Sequence, residues 1–292
     1  MDQITTAQGP AHIARAAHLA QIARDAALSV GPALRAAFRS AMEVDHKVDL
    51  HDPVTIHDRA TEAALRTFLM AATPEAVIVG EEDGASGETG VAGQVNWFVD
   101  PIDGTANFAV GLAFWCVSIG AVIDGEIVAG AVYDPMSDQM FWADAEGAWC
   151  NDERLTAISA VEEARAVLIS GYPVARDFRL DGREISLERF GRLTEAFATL
   201  RRPGSAALTL CHVAAGWADA AVGFGVNAWD VTAAILILRR AGGVYHPLRL
   251  GRVAKGAADY TCPGYRAHGP QAHYPTLETL CDEIDSQRDS AT

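Results

Sequence analysis

The segment WFVDPIDGTANF, residues 97–108, constrains the fold of this chain more than any other stretch. An apolar run at 97–99 leads directly into the polar sequence DPIDGT at 100–105. Strand interiors avoid these residue types, because Asp competes for backbone hydrogen bonds, Pro lacks a donor and Gly loses more entropy on ordering. We therefore predict a buried strand that ends abruptly in a polar turn. That turn is either an ordinary surface turn or a site for a hard cation with an anion cradle beside it.

Composition restricts the class of protein and its partners. The chain has 292 residues, of which 50% are hydrophobic and 21% charged, as is usual for a globular protein with one large domain or two close-packed ones. Its net charge of −15 predicts repulsion from nucleic acid phosphates and anionic membranes, so we expect neither as a partner. An acidic protein that binds an anionic substrate usually needs divalent cations to neutralise the charge.

Cysteine usage and hydropathy indicate the compartment. The five cysteines are odd in number and none belongs to a C-x-x-C pair, so the sequence predicts neither a disulfide framework nor a thiolate zinc site. The N-terminal segment begins acidic and lacks a long apolar core, and no window is long and apolar enough to span a bilayer. We therefore expect neither a signal peptide nor a transmembrane helix, and a reducing cytoplasm fits best.

Hydrophobic periodicity predicts helices near the beginning of the chain. A helical pattern runs over 12–28, Gly31 and Pro32 interrupt it, and a second helix follows over 33–42. A further helix is predicted over 59–70.

The middle of the chain is rich in predicted strands. Short β-branched segments precede the acidic turns, and Asp124-Gly125 is a strong hairpin signal. From residue 166 strands and helices alternate, and the chain closes with a helix over 274–284 and a frayed polar tail. This order predicts a layered α/β or α+β fold with initial helices, a largely antiparallel central sheet and an alternating second half.

Carboxylates follow three separate apolar segments. Glu81 comes after VIVG, Asp100 and Asp103 come after WFV, and Asp230 lies in NAWDV. If these segment ends converge, their oxygens form a ligand set typical of Mg²⁺ or Mn²⁺ rather than zinc, and the carbonyl of Ile102 points into the same turn. Carboxylates packed so closely raise one another's pKa unless cations neutralise them. Each carboxylate taken singly is an ordinary loop residue.

Gly104 and Thr105 come directly after these carboxylates. A glycine followed by exposed backbone N–H groups at the start of a helix forms a phosphate cradle through oriented amides and the helix dipole. Asp58 opens a predicted helix, where it is either an N-terminal cap or the partner of Thr105. A threonine hydrogen-bonded to a carboxylate can orient and deprotonate a metal-bound water for in-line phosphoryl displacement between two cations.

Three motifs carry a resemblance to a known family. They are GEE at 80–82, WFVDPIDGTANF at 97–108 and WDVTAAILILRRAGG at 229–243, with looser matches in DPVTIHD at 52–58 and RRPGSAALTLCHVAAGWADA at 201–220. With them the chain resembles the inositol monophosphatase family of Mg²⁺-dependent, lithium-sensitive phosphomonoesterases.

The resemblance covers roughly residues 10–285 and implies a fold. The family fold is a layered αβαβα sandwich of the sugar-phosphatase type, usually found as a homodimer. We expect one such domain over 1–292, with two close-packed α/β halves at roughly 10–160 and 161–285.

The resemblance also implies a set of metal ligands. Glu81, Asp100 and the carbonyl of Ile102 would hold a first Mg²⁺, and Asp100, Asp103 and Asp230 a second. A weaker third ion would sit near Glu81, which thereby counts among the catalytic residues. Mn²⁺ is the expected substitute.

Catalytic and phosphate-binding roles follow in the same way. The backbone amides of Gly104 and Thr105 would bind the phosphate, and Lys47, in the loop before the T-x-x-D motif, would assist phosphate or metal binding. Thr105 and Asp58 would together activate the attacking water.

On the substrate side, the resemblance implies contacts from Asp103 and, at the non-phosphate part, from Ser205 and Ala206. Gly223 stands where inositol-specific members carry a glutamate that hydrogen-bonds a substrate hydroxyl, and such contacts carry strong discrimination. The glycine either makes room for a larger leaving group or leaves the contact to another side chain such as Asn227.

The expected partner is a small phosphorylated metabolite, and the expected reaction is Mg²⁺-dependent hydrolysis of inositol monophosphate or a similar polyol phosphate. The alternatives are a histidinol-phosphate phosphatase, a 3′(2′),5′-bisphosphate nucleotidase and, from another class, a non-catalytic metal-binding regulatory protein. Arg201 and Arg202 are either a solvated pair or a contact for a second anionic group of the substrate.

Overall fold

The computed structural model describes residues 9–41, 44–46 and 53–290. The α-helices are α1 (Pro10–Ala37), α2 (Ile56–Ala72), α3 (Thr105–Val110), α4 (Ala175–Asp181), α5 (Arg183–Ala196), α6 (Ala206–Ala214), α7 (Ala228–Arg240) and α8 (Pro275–Asp289). The strands are β1 (Val44–His46), β2 (Pro53–Thr55), β3 (Val77–Gly80), β4 (Gly84–Ala85), β5 (Asn96–Asp103), β6 (Cys116–Ile123), β7 (Glu126–Asp134), β8 (Gln139–Ala143), β9 (Ala148–Cys150), β10 (Glu153–Arg154), β11 (Val167–Ser170), β12 (Thr199–Arg201), β13 (Ala220–Phe224), β14 (Val244–Leu248) and β15 (Gly264–His268).

Two mixed sheets form the framework, beside the small β1–β2 pair. The larger has the order β10-β9-β8-β7-β6-β5-β3-β4 and is antiparallel except between β3 and β5. The smaller has the order β12-β11-β13-β15-β14, with β11 parallel to both neighbours and β15 antiparallel to both. The hairpin predicted at Asp124-Gly125 is confirmed, because it joins β6 to β7 with both residues at positive φ.

The helices are arranged in layers around these sheets. Helices α1 and α2 pack on the larger sheet, α6 and α7 contact strands of both sheets, and α5 and α8 pack on the smaller sheet. This is the predicted α/β sandwich with its layers in the order helix, sheet, helix, sheet, helix. The larger sheet lies within residues 77–154 and the smaller within 167–268, while the division of the chain into two halves near residue 160 stays a prediction.

A pair of glycines lets α7 lie directly on the larger sheet. Gly120 and Gly130 face each other across β6 and β7. A Cβ atom on Gly120 would lie 2.6 Å from Thr232 Cγ2, and one on Gly130 would lie 2.8 Å from Ala233 Cα. Only glycine permits so close an approach of a helix backbone to a strand. The helix that carries Asp230 in its first turn is therefore fixed against this sheet.

The predicted break at Gly31 and Pro32 is wrong, because α1 is one continuous helix. Pro32 lacks the N–H that would bond the Leu28 carbonyl, but both residues lie on the exposed face, where water can satisfy that carbonyl. Gly31 lies on the buried face, and a Cβ there would come within 2.7 Å of the Tyr133 ring. Tertiary packing along the buried face thus outweighs the two local helix-breaking residues.

The predicted end of the strand at Asp100 is also wrong. Strand β5 continues through Pro101 and Ile102 to Asp103. Its pairing with β6 shifts register between Asp100, which faces Ser118, and Asp103. A bulge of this kind accommodates residues that a regular ladder excludes and turns the strand locally.

The predicted frayed tail is replaced by helix, since α8 continues to Asp289. Arg288 is buried and donates hydrogen bonds to Asp181 at 2.8 Å and to Asp177 at 2.9 Å. Arg189 on α5 lies 3.6 Å from the same Asp181 carboxylate. This buried ion network holds the last turns of α8 on α4 and α5.

Candidate active site

The centre of the site is the bulged end of β5. Asp100 and Asp103 are both buried, and Asp100 Oδ1 accepts a hydrogen bond from the Ile102 amide at 3.0 Å. Ser118, opposite Asp100, donates to the carbonyl of Trp229 at 3.3 Å and so connects β6 to the first turn of α7. The bulge therefore places two carboxylates beside the turn that carries Asp230.

The carboxylates predicted from three chain segments do lie near one another. Burial raises the pKa of Asp100 well above its usual range, and the charges of Glu81, Asp103 and Asp230 raise it further. Glu81 also shares a hydrogen bond with Asp100.

Asp103 is held by the beginning of α6. Its carboxylate accepts hydrogen bonds from the Ser205 hydroxyl at 2.6 Å and from the amides of Ala207 at 2.6 Å and Ala206 at 3.3 Å. Burial raises the pKa of Asp103, while these hydrogen bonds counteract the rise. Ser205 also accepts from the Leu208 amide at 3.2 Å, so its hydroxyl caps α6 and binds Asp103 at once.

Asp58 and Thr105 are brought together as predicted. The Thr105 hydroxyl lies 2.9 Å from Asp58 Oδ1 and 3.0 Å from the carbonyl oxygen of Ile102, and both oxygens are acceptors for it. Asp58 Oδ2 accepts hydrogen bonds from the amide and the hydroxyl of Thr55, each at 2.7 Å. Asp58 is therefore both a cap of α2 and the partner of Thr105, which combines the two alternatives that its sequence position left open.

Gly104 joins the bulge to α3 in a conformation that favours glycine. Its φ is +102°, and a Cβ atom there would lie 3.0 Å from the carbonyl oxygen of Phe114. Thr105 is the first residue of α3, so its amide belongs to the group of N–H donors that lack an intrahelical acceptor. Lys47 lies outside the described residues.

Sequence reasoning missed Glu62, a fully buried residue of α2. Its carboxylate accepts hydrogen bonds from the amides of Glu82 at 2.7 Å and Asp83 at 3.0 Å, and from Arg66 at 2.9 Å. A Cβ on Gly80 would overlap this carboxylate, which explains the glycine before Glu81. Glu62 thus fixes the turn that carries Glu81, and its long separation from that turn in sequence left no local signal.

A cavity of about 230 Å³ is lined in part by Ser205 and Ala206, which donate hydrogen bonds to Asp103. Its lining includes Ser205, Ala206 and Gly223, the predicted substrate contacts, together with Tyr265 and Arg176. The predicted residues at the non-phosphate side therefore do lie around one space next to the acidic cluster.

Arg201 and Arg202 lie outside that cavity lining. Arg202 donates hydrogen bonds to the carbonyls of Tyr172 at 3.1 Å and of Gly171 and Pro173 at 2.8 Å each. Arg201 is exposed and bonds within its own strand. Both arginines thus donate hydrogen bonds to the chain around them.

The donor chemistry of the cluster fits a hard divalent cation. Asp100, Asp103, Glu81 and Asp230 offer carboxylate oxygens. Burial and then the charges of the other three carboxylates raise the pKa of Asp100, and a bound cation would oppose both effects. Among the described residues, no group of three or more His, Cys, Asp or Glu side chains is gathered so that it could hold a metal ion. Asp103 accepts a hydrogen bond from the Ala207 amide of α6 at 2.6 Å, and Asp230 Oδ2 accepts one from the Asn227 amide at 2.8 Å.

Comparison with known proteins agrees with the fold. The family model described as "Inositol monophosphatase family" matches residues 16–282. The chain is 34% identical over 230 residues to the fructose-1,6-bisphosphatase/inositol-1-monophosphatase of Aquifex aeolicus (strain VF5), covering 77% of this chain and 84% of that protein. It is 40% identical over 195 residues to the Nus factor SuhB of Pasteurella multocida (strain Pm70), covering 66% of this chain and 71% of that protein.

A solved structure shows that the fold is similar to that of an inositol monophosphatase. The inositol monophosphatase of Anabaena (Nostoc) sp. PCC 7120 superposes with a TM-score of 0.73 at 27% identity, covering 94% of this chain and 96% of that one. The fold and the named relatives are those of a phosphoric monoester hydrolase. The chain belongs to the inositol monophosphatase family. In the part of the chain that the structure describes, no helix is long and apolar enough to cross a membrane.

Proposed function

We propose that this protein hydrolyses a small phosphate monoester with Mg²⁺ as cofactor, with Mn²⁺ as a substitute. The observation that carries the proposal is the hydrogen-bonded pair of Asp58 and Thr105, because Thr105 also contacts the carbonyl of Ile102 at the end of β5 that carries the carboxylates. Burial and then the neighbouring carboxylates raise the pKa of Asp100 at that end of the strand. A hydroxyl oriented by a buried carboxylate is suited to positioning a water, and carboxylate oxygens are suited to binding divalent cations.

The residues that would hold two or three Mg²⁺ ions are Glu81, Asp100, Asp103, Asp230 and the carbonyl of Ile102. When bound, the ions would supply Lewis-acid stabilisation of the phosphoryl oxygens and lower the pKa of a water. Their ligands come from β5, from the turn after β3 and from α7.

The chain's own residues would bind and orient the reactants. Thr105 donates its proton toward Asp58, so the hydroxyl oxygen keeps lone pairs with which to accept a hydrogen bond from the attacking water. The amides of Gly104 and Thr105 would donate to the phosphate, with Lys47 assisting. Asp103, Ser205, Ala206 and Gly223 would surround the alcohol part of the substrate.

Among candidate physiological substrates, we rank inositol monophosphate or a similar polyol phosphate first. Histidinol phosphate and 3′(2′),5′-bisphosphate nucleotides follow, because Gly223 offers no side-chain contact of its own. We further propose inhibition by lithium, a homodimer and a cytoplasmic location, the last because the five cysteines are free thiols.

The test is phosphate release from a panel of esters, each measured with Mg²⁺, with EDTA, and with Mg²⁺ plus Li⁺. The panel comprises myo-inositol 1-phosphate, histidinol phosphate, 3′-phosphoadenosine 5′-phosphate, fructose 1,6-bisphosphate and glycerol 2-phosphate. Turnover that EDTA abolishes supports the proposal. If no ester releases phosphate although calorimetry shows Mg²⁺ binding, the result would instead favour the non-catalytic regulatory protein.

Two aspartate variants separate the metal site from general effects of charge removal. Asp100→Asn is expected to abolish Mg²⁺-dependent turnover with the fold retained. The control is Asp134→Asn, since Asp134 is also buried in the larger sheet but accepts its hydrogen bonds from the adjacent turn, at Met136 and Ser137. Near-normal activity of Asp100→Asn would contradict the metal assignment.

A further inference from the structure

Gly223 and Tyr265 are direct partners across two antiparallel strands, β13 and β15. A Cβ atom on Gly223 would lie 2.6 Å from Tyr265 Cε1, 2.9 Å from Cζ and 3.1 Å from the phenol oxygen. The tyrosine ring therefore covers the face of the glycine and occupies the space that a side chain at 223 would fill. An aromatic ring over a cross-strand glycine is a known stabilising arrangement in sheets.

The ring is fixed from its other side as well. Tyr245 on β14 stacks on Tyr265 with ring centroids 5.5 Å apart and an interplanar angle of 21°. Both side chains are buried. A ring held between a strand backbone and a second ring has little freedom to reorient, so the position of its hydroxyl is determined by the fold.

The Tyr265 side chain lines the cavity and lies within reach of the charges of Asp103 and Asp230. Tyr265 and Gly223 both line the 230 Å³ space that also contacts Ser205. Burial raises the pKa of the Tyr265 phenol, and the charges of Asp103 and Asp230 raise it further. The hydroxyl therefore keeps its proton at any working pH and can both donate and accept a hydrogen bond.

The remaining walls of this cavity are largely apolar. They include Ile169, Val222, Phe224 and Val226. In such surroundings a hydrogen bond discriminates strongly between ligands, because a substrate that cannot make it leaves the buried hydroxyl without a partner.

We propose that Tyr265 is the specificity-determining residue for the alcohol part of the substrate: its phenol, placed over Gly223, hydrogen-bonds a free hydroxyl of the ester's alcohol part. The substrate class is then a phosphate ester whose alcohol part carries at least one further hydroxyl and an apolar face that fits the cavity walls. This inference rests on the proposed phosphatase function and names the group that would choose among its substrates.

The test compares two kinds of ester in wild type and in Tyr265→Phe, which keeps the ring over Gly223 and removes only the oxygen. myo-Inositol 1-phosphate and glycerol 2-phosphate carry free hydroxyls, whereas phenyl phosphate carries none. We expect kcat/KM to fall about 3- to 10-fold for the first two esters and to change less than about 2-fold for phenyl phosphate, as loss of one neutral hydrogen bond predicts.

The matched control is Tyr245→Phe. Tyr245 belongs to the same ring pair, and its hydroxyl is buried without a hydrogen-bond partner among the described residues, but it lies outside the cavity lining. Its removal should leave the ratio of the two kcat/KM values unchanged. A second variant, Gly223→Ala, should displace the Tyr265 ring and shift the ratio in the same direction as Tyr265→Phe.

The outcomes distinguish the two proposals. An equal loss with all three esters in Tyr265→Phe would show that the ring pair is only structural and would overturn the inference. The inference would also be overturned if Tyr265→Phe left unchanged the ratio of kcat/KM for the hydroxyl-bearing esters to kcat/KM for phenyl phosphate. A wild-type protein that releases no phosphate from any ester under Mg²⁺ would overturn the proposed function itself.

Discussion

The Thr105 hydroxyl and the Asp58 carboxylate lie 2.9 Å apart although 47 positions separate the two residues in the chain. Asp58 is fully buried and already carries two hydrogen bonds from Thr55. Its remaining oxygen is thus directed at Thr105 by the cap of α2, and the orientation of the threonine hydroxyl depends on how that helix begins.

This relationship predicts different results for two substitutions of Thr105. Thr105→Val removes the hydroxyl and is expected to lower kcat by about 10²- to 10⁴-fold with little change in KM, as loss of a proton-transfer group does. Thr105→Ser keeps the hydroxyl and should retain activity within about 10-fold. Phosphate-release kinetics of both variants check this, and a fully active Thr105→Val would contradict the assigned role.

Glu62→Gln tests the turn that carries Glu81. The buried carboxylate accepts from two backbone amides and from Arg66, so its neutralisation should lower the free energy of unfolding by about 1–3 kcal/mol. Because the same bonds hold the Glu81 turn, Mg²⁺ affinity measured by calorimetry should fall as well. Glu75→Gln, at an exposed position, is the control and should change neither quantity.

Two arginines should differ strongly in their contribution to stability. Arg288→Met removes the guanidinium that hydrogen-bonds both Asp177 and Asp181, and it leaves Asp181 with the more distant Arg189 at 3.6 Å. We expect a loss of about 3–5 kcal/mol in urea denaturation. Arg239→Met removes a more exposed pair with Asp259 and should cost at most about 1 kcal/mol. Equal effects of the two substitutions would argue against a structural role for the α8 network.

His212 predicts a pH dependence of stability. Burial lowers the pKa of its imidazole below the ordinary value of 6.5, and the Asp134 charge opposes this shift. Between the two pKa values the unfolded chain binds a proton that the folded protein does not, so the free energy of unfolding should decrease as the pH falls below 6.5.

His212→Phe keeps a ring against Phe114 and Trp217 and removes the titrating group. Relative to wild type, it should become progressively more stable as the pH is lowered from about 7.5 to about 5.5, with no pH-dependent difference at the upper end. Urea denaturation across this range is the measurement. A constant difference between the two proteins would exclude the histidine as the source of the acid sensitivity.

The sequence predicted those features that local pattern encodes. The acidic ends of β3 and β5, the hairpin at Asp124-Gly125 and the start of α3 at Thr105 all follow from residue types that occupy few backbone environments. The resemblance then related Asp58 to Thr105, and the structure brings the two together.

The errors have a common physical cause, which is tertiary structure acting against local preference. Pro32 is tolerated because its side of α1 faces water, and α8 continues past residue 284 because Arg288 is buried among carboxylates. Strands β14 and β15 escaped notice because Pro247 and Gly264 weaken the local signal, although pairing within the smaller sheet holds both strands. Tyr265 was not predicted as a site residue because it belongs to β15, one of these two unrecognised strands.

The hydrogen bonds from α6 to Asp103 have a consequence for how the site comes into being. Asp103 belongs to the larger sheet, whereas Ser205 and Ala207 follow the first strands of the smaller one. Neither part of the chain contains all the residues of the proposed site, so we expect turnover only when the two parts are packed together. Two separately produced fragments, divided near residue 160, should each lack phosphatase activity. Hydrolysis should return only when the two fragments associate.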